Sequence, residues 1–111
     1  MLIEKGKTFS VNDIIVMKLI TGEEIITKVT ADDGNVISIK SPLTLLLVGQ
    51  QGGHGAVAMT PFMLGINESD VLDINRSMII TARKPRQDAV NMYMQHTSGL
   101  TVASSMPDLK M

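Results

Sequence analysis

The residues whose types suit chemistry are few: the acid pairs Glu23-Glu24 and Asp32-Asp33, the lone histidines His54 and His96, Asn35, and Arg76. Two carboxyls act as general acid and base only when their surroundings set their pKa values apart. Here each pair is adjacent in the chain, which fits solvated turn residues better. His54 and His96 have no Cys, second His or carboxylate at ligand spacing, so no metal site is expected. No Ser, His and acid set stands in a recognisable context either. Residues 49–55, GQQGGHG, are glycine-rich, but no Gly-Lys-Ser/Thr follows, so they read as a connection and not a phosphate loop. The chain is therefore expected to be non-catalytic, without cofactor or metal.

Composition narrows the remaining classes. The chain has 111 residues, no cysteine and a formal net charge of −1. It is long enough for one domain with a modest core. Without cysteine there is no disulfide framework and no thiolate site, which fits a reducing compartment. The N-terminus, MLIEKGK, shows no apolar signal region, and no apolar run approaches the roughly 20 residues of a membrane span. The expectation is a cytoplasmic protein with no membrane partner. A near-neutral charge argues against a general basic face, so any nucleic-acid site must be local.

The elements that position these residues are mostly strands. Val36–Val48, VISIKSPLTLLLV, places Ile37, Ile39, Leu43, Leu45 and Leu47 on one parity, the two-residue period of a strand with one face in a core. Pro42 in its middle marks a bend or bulge. A long strand bent at its centre is how small barrels close. Residues 14–20, IIVMKLI, read as a strand that is apolar on both parities, so its second face should also be covered. Thr21-Gly22 turns into a strand over 23–31, where Ile26 breaks the alternation. Asp32-Asp33-Gly34-Asn35 is the strongest turn signal in the chain. A fourth strand, 56–66, is interrupted by Pro61. A fifth, 71–84, points Leu72, Ile74, Met78, Ile80 and Ala82 one way, with Arg76 on that same apolar parity. Such a conflict marks a bulge, a change of sheet or a site. Pro85 then opens a helix over 86–97, with Asp88 in its first turn and His96 in its last. Its simplest role is to cap an open end of the barrel. Residues 1–99 form the domain and 100–111 a frayed tail. The expected fold is mainly β: a small, strongly bent, five-stranded antiparallel open barrel with a C-terminal helix.

This order resembles the Sm-like (LSm) family over about residues 12–97, an SH3-like barrel. VMKLITGEEIITKV is similar to that family's first two strands. Asp32 and Asn35 occupy the loop of its first motif, and Ile74-Asn75-Arg76-Ser77 is similar to its Ile-Arg-Gly turn. The ending INRSMIITARKPRQDAVNMYM resembles small Sm-like proteins encoded by marine cyanophages. The departures are specific: Asp33 and Gly34 stand where the family offers a side chain that stacks on a base, the loop is shorter, and Ser77 replaces the glycine.

The resemblance implies a homo-oligomeric ring of roughly five to seven subunits, formed by head-to-tail pairing of a fourth strand with the next subunit's fifth. Residues 56–66 and 71–84 are apolar enough to serve. It also implies single-stranded RNA as partner, with Asn35 reading base edges, Arg76 supplying charge or stacking, and Asp32 orienting the loop. A ring repeats one arginine around a pore, which supplies the avidity a single subunit lacks. Three alternatives stay open at this point. Asp32 and Asn35 suit any tight turn, Arg76 can pair with Asp73 or a neighbouring subunit, and the ring can be a phage or host adaptor that binds another protein without RNA.

Overall fold

The computed structural model describes residues 8–49 and 55–98. The tail expected over 100–111, and His54 with most of its glycine-rich connection, lie outside the described residues. The elements in chain order are β1 (Ile14–Leu19), β2 (Glu24–Asp32), β3 (Val36–Val48), β4 (Ala56–Pro61), β5 (Val71–Asn75), β6 (Ile79–Arg83) and α1 (Gln87–Thr97). The fold is mainly β, one open antiparallel sheet with a C-terminal helix. Its strand order is β4-β3-β2-β1-β6, and β5 lies beside β3 off that path. No described helix is long and apolar enough to cross a membrane.

Among the described residues the strands number six where the alternation predicts five. The stretch expected as one strand over 71–84 is broken by a 3-10 turn at Arg76–Met78. The physical reason is Arg76 itself. On the apolar parity its guanidinium would enter the core unpaired, at a cost of several kcal/mol. The turn directs it to Asp32 instead. It also resets which residues face inward. Ile79 and Ala82 join Leu72 and Ile74 against the core, whereas Met78 and Ile80, expected inside, are exposed.

β3 is long because it serves two partners along one edge. Its first half, Val36 to Lys40, pairs with β5, and its second half, Leu43 to Val48, pairs with β4. Between them sit Ser41, at φ +54°, and the buried Pro42. Against β2, Lys28 faces Lys40 but Ile26 faces Leu43, so β3 carries one extra residue there. That is a bulge, and it moves every later side chain to the opposite face. Ile37 and Ile39 therefore lie in one apolar cluster, while Leu43 and Leu45 lie in another. The single shared face expected for all five residues is corrected by that one insertion, and Leu47 is largely exposed.

The inner cluster joins Ile15, Met17, Leu19, Ile25, Val29, Ile37 and Ile39, with Phe9 and Phe62 packed at its margin. Burying each such side chain contributes about 1.5–3 kcal/mol. The second cluster, on the other face, joins Ile26, Met59 and Tyr93 with Ile14, Val16, Leu43, Leu45, Ala89 and Met92. This is the covered second face that the apolar parities of β1 predict, it takes in Ile26, and α1 covers it. The helix thus lies on the outer face of the sheet, not over an open end. Its N-cap, Arg86, makes no side-chain capping bond. A short helix without that cap depends on packing, chiefly of the fully buried Tyr93.

Candidate functional site

The site is built on the turn between β2 and β3. Asp33 Oδ1 accepts the main-chain N–H groups of Asn35 and Val36, each at 2.8 Å. Asp32 Oδ1 accepts the Gly34 N–H at 3.0 Å. Gly34 sits at φ +91°, a left-handed conformation that a side chain would strain. These are local side-chain-to-backbone bonds of the kind that make Asp and Asn turn formers.

Two segments distant in sequence meet this turn. The Phe9 N–H donates to Asp32 Oδ2 at 2.8 Å. From the 3-10 turn, Arg76 donates through Nη2 to Asp32 Oδ2 at 2.6 Å and through Nε to Oδ1 at 3.3 Å. The Arg76 main-chain N–H donates to the Asn35 carbonyl at 2.8 Å. Asp32, Asn35 and Arg76 are thus brought together, and Arg76 pairs with Asp32, not with Asp73. Asp73 instead accepts from the Ser38 hydroxyl across the β3–β5 pair at 2.7 Å.

The Asp32 side chain is fully buried and that of Arg76 is 28% exposed. Burial alone would raise the Asp32 pKa, but the Arg76 hydrogen bonds and the N–H groups of Phe9 and Gly34 outweigh it and lower it. The Asp33 carboxyl is lowered as well, first by the Val36 N–H and then by that of Asn35. Both acids are therefore ionised acceptors at neutral pH. They are acceptors already engaged, and neither is poised to move a proton.

A groove of about 730 Å³ leads from Arg76 past Ile80 and Thr81 to Arg83 and Lys84, with Ser10 and Asp13 also lining it. It follows β6, which ends the strand order at one side as β4 does at the other. Among the described residues no group of three His, Cys, Asp or Glu is placed to hold a metal ion. The arrangement offers exposed carboxamides, a partly exposed guanidinium edge and the open edge of a strand. Those are means of binding.

Asp33 closes the turn, as the Asp-Asp-Gly-Asn pattern predicts. Sequence reasoning missed two neighbours of this turn. The Phe9 N–H reaches Asp32 across 23 residues, which no local pattern reveals. Asn75 lies opposite Val36 in the β3–β5 register, beside Asn35, and only the register shows it. No protein-family model matches the chain, and no curated protein matches it either.

Proposed function

We propose that the chain is a non-catalytic, ring-forming protein of the Sm-like type that binds single-stranded RNA at the loops carrying Asp32, Asn35 and Arg76. The observation that carries the reading is the junction of two loops 44 residues apart, in which Arg76 bonds to both Asp32 and Asn35. The loops that the resemblance assigns to RNA are the two that meet.

The strand pairing supports the barrel of that family. The segment from Val71 to Arg83 pairs with β3 at its start and with β1 at its end. One continuous stretch thus links the two sides of the β1–β2–β3 unit, as closure of a small barrel requires. Exposed edges support the ring. β4 and β6 are the two ends of the strand order, and each presents backbone groups that no described strand pairs. Leu46, Leu47, Val48 and Val57 are exposed near β4, and Met78 and Ile80 near β6. Pairing β4 of one subunit with β6 of the next covers both sets in one heterologous contact, and rotation of that contact closes a ring of roughly five to seven subunits. RNA then binds by repetition, because one subunit of net charge −1 carries no excess of positive charge.

A second reading is favoured by one observation. The Arg76 charge is balanced by Asp32, which weakens the electrostatic pull of that residue on phosphates. On that reading the ring is a phage or host adaptor whose surface docks another protein in the cytoplasm.

Size-exclusion chromatography with light scattering separates the readings, recorded at 260 and 280 nm on protein purified without nuclease. With no Trp and one Tyr, the chain itself absorbs weakly, so bound nucleic acid dominates the spectrum. A ring mass with a high 260 nm signal that RNase removes is the expected result. A ring without that signal moves the assignment to the adaptor, and a monomer overturns both.

A further inference from the structure

We propose that residues 100–103, LTVA, fold back from the end of α1 and dock Leu100 and Val102 in an apolar groove between the β3 bend and the loop 62–70. The inference does not depend on the RNA-binding reading. It gives a place to the start of a segment that composition alone leaves as a frayed tail.

Three observations carry it. First, the groove is apolar and open. It holds about 250 Å³ and is lined by Pro42 of β3, by Met63, Leu64 and Ile66 of the loop after β4, and by His96 and Thr97 at the end of α1. Leu64 is 85% exposed and Met63 44%, so two large apolar side chains stand there without cover from the described residues. The loop that carries them is fastened at its two ends. The Phe62 N–H donates to the Pro42 carbonyl at 3.0 Å, and the Ser41 hydroxyl donates to the Glu68 carbonyl at 3.3 Å. Second, the chain leaves the described structure beside this groove. The Tyr93 hydroxyl bonds to the Lys40 and Ser41 carbonyls, which sets the last turns of α1 over the β3 bend. His96 and Thr97 then line the groove, and Leu100 follows Thr97 by three positions. Third, the sequence of the segment suits the place. Gly99 is the residue type that most often turns the chain at the end of a helix. Leu100 and Val102 share one side of an extended chain, and Thr101 falls on the other. Beyond them come Ser104-Ser105, Asp108 and Lys110, residue types that suit water.

Docking takes apolar surface out of water on both sides of the contact, the segment's and the groove's. An extended chain advances roughly 3.3 Å per residue, so the four residues span roughly 13 Å, the neighbourhood of the groove and not a distant face. Tethering decides the occupant. A segment that starts at the groove has an effective concentration there that a free partner or a second copy does not match. The segment thus covers Met63 and Leu64 from within the same chain and ties the loop 62–70 to α1.

The test uses the full chain, which has no cysteine of its own, so introduced pairs report cleanly. Leu64→Cys combined with Leu100→Cys is expected to close a disulfide within one chain about tenfold faster than Ile80→Cys combined with Leu100→Cys. Ile80 serves as the control because it is exposed on β6, at the other end of the strand order from β4. Hydrogen exchange read by mass spectrometry gives the second measurement, on the chain carrying Leu100→Asp and Val102→Asp. Its amides over 63–66 should exchange about tenfold faster than in the wild type, with β1 and β2 unchanged. Equal closure rates for the two cysteine pairs overturn the inference. Fast closure that joins two chains overturns it too, because a second copy then fills the groove. Wild-type exchange over 63–66 in the double aspartate variant likewise overturns it, since the loop is then held without the segment.

Discussion

The inner face of the sheet and the face beneath α1 bury similar aliphatic side chains, but they are assembled on different principles. The inner cluster follows simple alternation: Ile15 and Met17 on β1, Ile25 and Val29 on β2, Ile37 and Ile39 on β3. The outer cluster collects the residues that break alternation, namely Ile26, the leucines beyond the β3 bulge, and a tyrosine from a helix far along the chain. The inner face is set by periodicity and the outer by irregularity. An extra residue in a strand is therefore a means of giving one strand to two cores.

The bulge is held from outside as well as within. Ser41 adopts a left-handed φ, which costs a non-glycine residue about 1–2 kcal/mol. Its carbonyl accepts the Tyr93 hydroxyl at 2.9 Å, and the Phe62 N–H donates to the Pro42 carbonyl at 3.0 Å. The buried Thr27 hydroxyl donates to the Lys40 carbonyl at 2.9 Å. The helix thus fastens the irregular stretch that creates its own docking surface.

The largest expected effects test whether the two faces form one cooperative unit. Ile39→Ala on the inner face and Tyr93→Ala on the outer each remove a fully buried side chain, and each should cost about 3–5 kcal/mol. Urea unfolding followed by far-ultraviolet circular dichroism gives both values. A single transition in each variant shows that sheet and helix unfold together. A Tyr93→Ala protein that loses only its helical signal, with the sheet midpoint unchanged, would show that α1 is an appendage and that the comparison fails.

A smaller effect separates the turn from both clusters. Asp32→Asn leaves Arg76 facing a neutral partner in a buried place, and should cost about 2–3 kcal/mol at pH 7. The sign with pH follows from the lowered native pKa. The unfolded chain binds this proton near its ordinary value of about 3.9, before the native one does. The stabilisation is therefore complete above that pH and is lost as pH falls through the native pKa. The gap between wild type and Asp32→Asn should narrow over that acid range. The gaps for the two alanine variants should not change there through this group.

The fold was legible in the sequence where local rules and core packing agree. The Asp-Asp-Gly-Asn turn, the hairpin at Thr21-Gly22, the long β3 and the helix after Pro85 each combine a turn or cap residue with periodic apolar positions. The inner placement of Met78 and Ile80 was misread because Arg76 forces a turn that shifts the phase, and parity counting carries straight through such a turn. The common face assigned to Ile39 and Leu43 failed for the same kind of reason at Ser41. For the site, Asp32, Asn35 and Arg76 could be named but not joined. The bond from Arg76 to Asp32 depends on closing 44 residues of chain, and the place of Asn75 opposite Val36 depends on a strand register. Neither has a local signature.

The smallest effect isolates a single hydroxyl of the outer face. Tyr93→Phe keeps the ring that fills the cluster and removes the donor to the Ser41 and Lys40 carbonyls, so it should cost about 1 kcal/mol at neutral pH. Burial pushes the Tyr93 pKa up to about 12, because the phenolate would lose water on entering the cluster. The unfolded chain releases that proton near pH 10, so wild-type stability is complete below this value and falls as pH rises towards about 12. Tyr93→Phe has no such proton and should lack this alkaline loss. Tyr93 is the one tyrosine in the chain, so phenolate absorbance near 295 nm reads its titration directly. A midpoint near 10 in the folded wild type would mean that water reaches the ring, and that the outer cluster is not a second core at all.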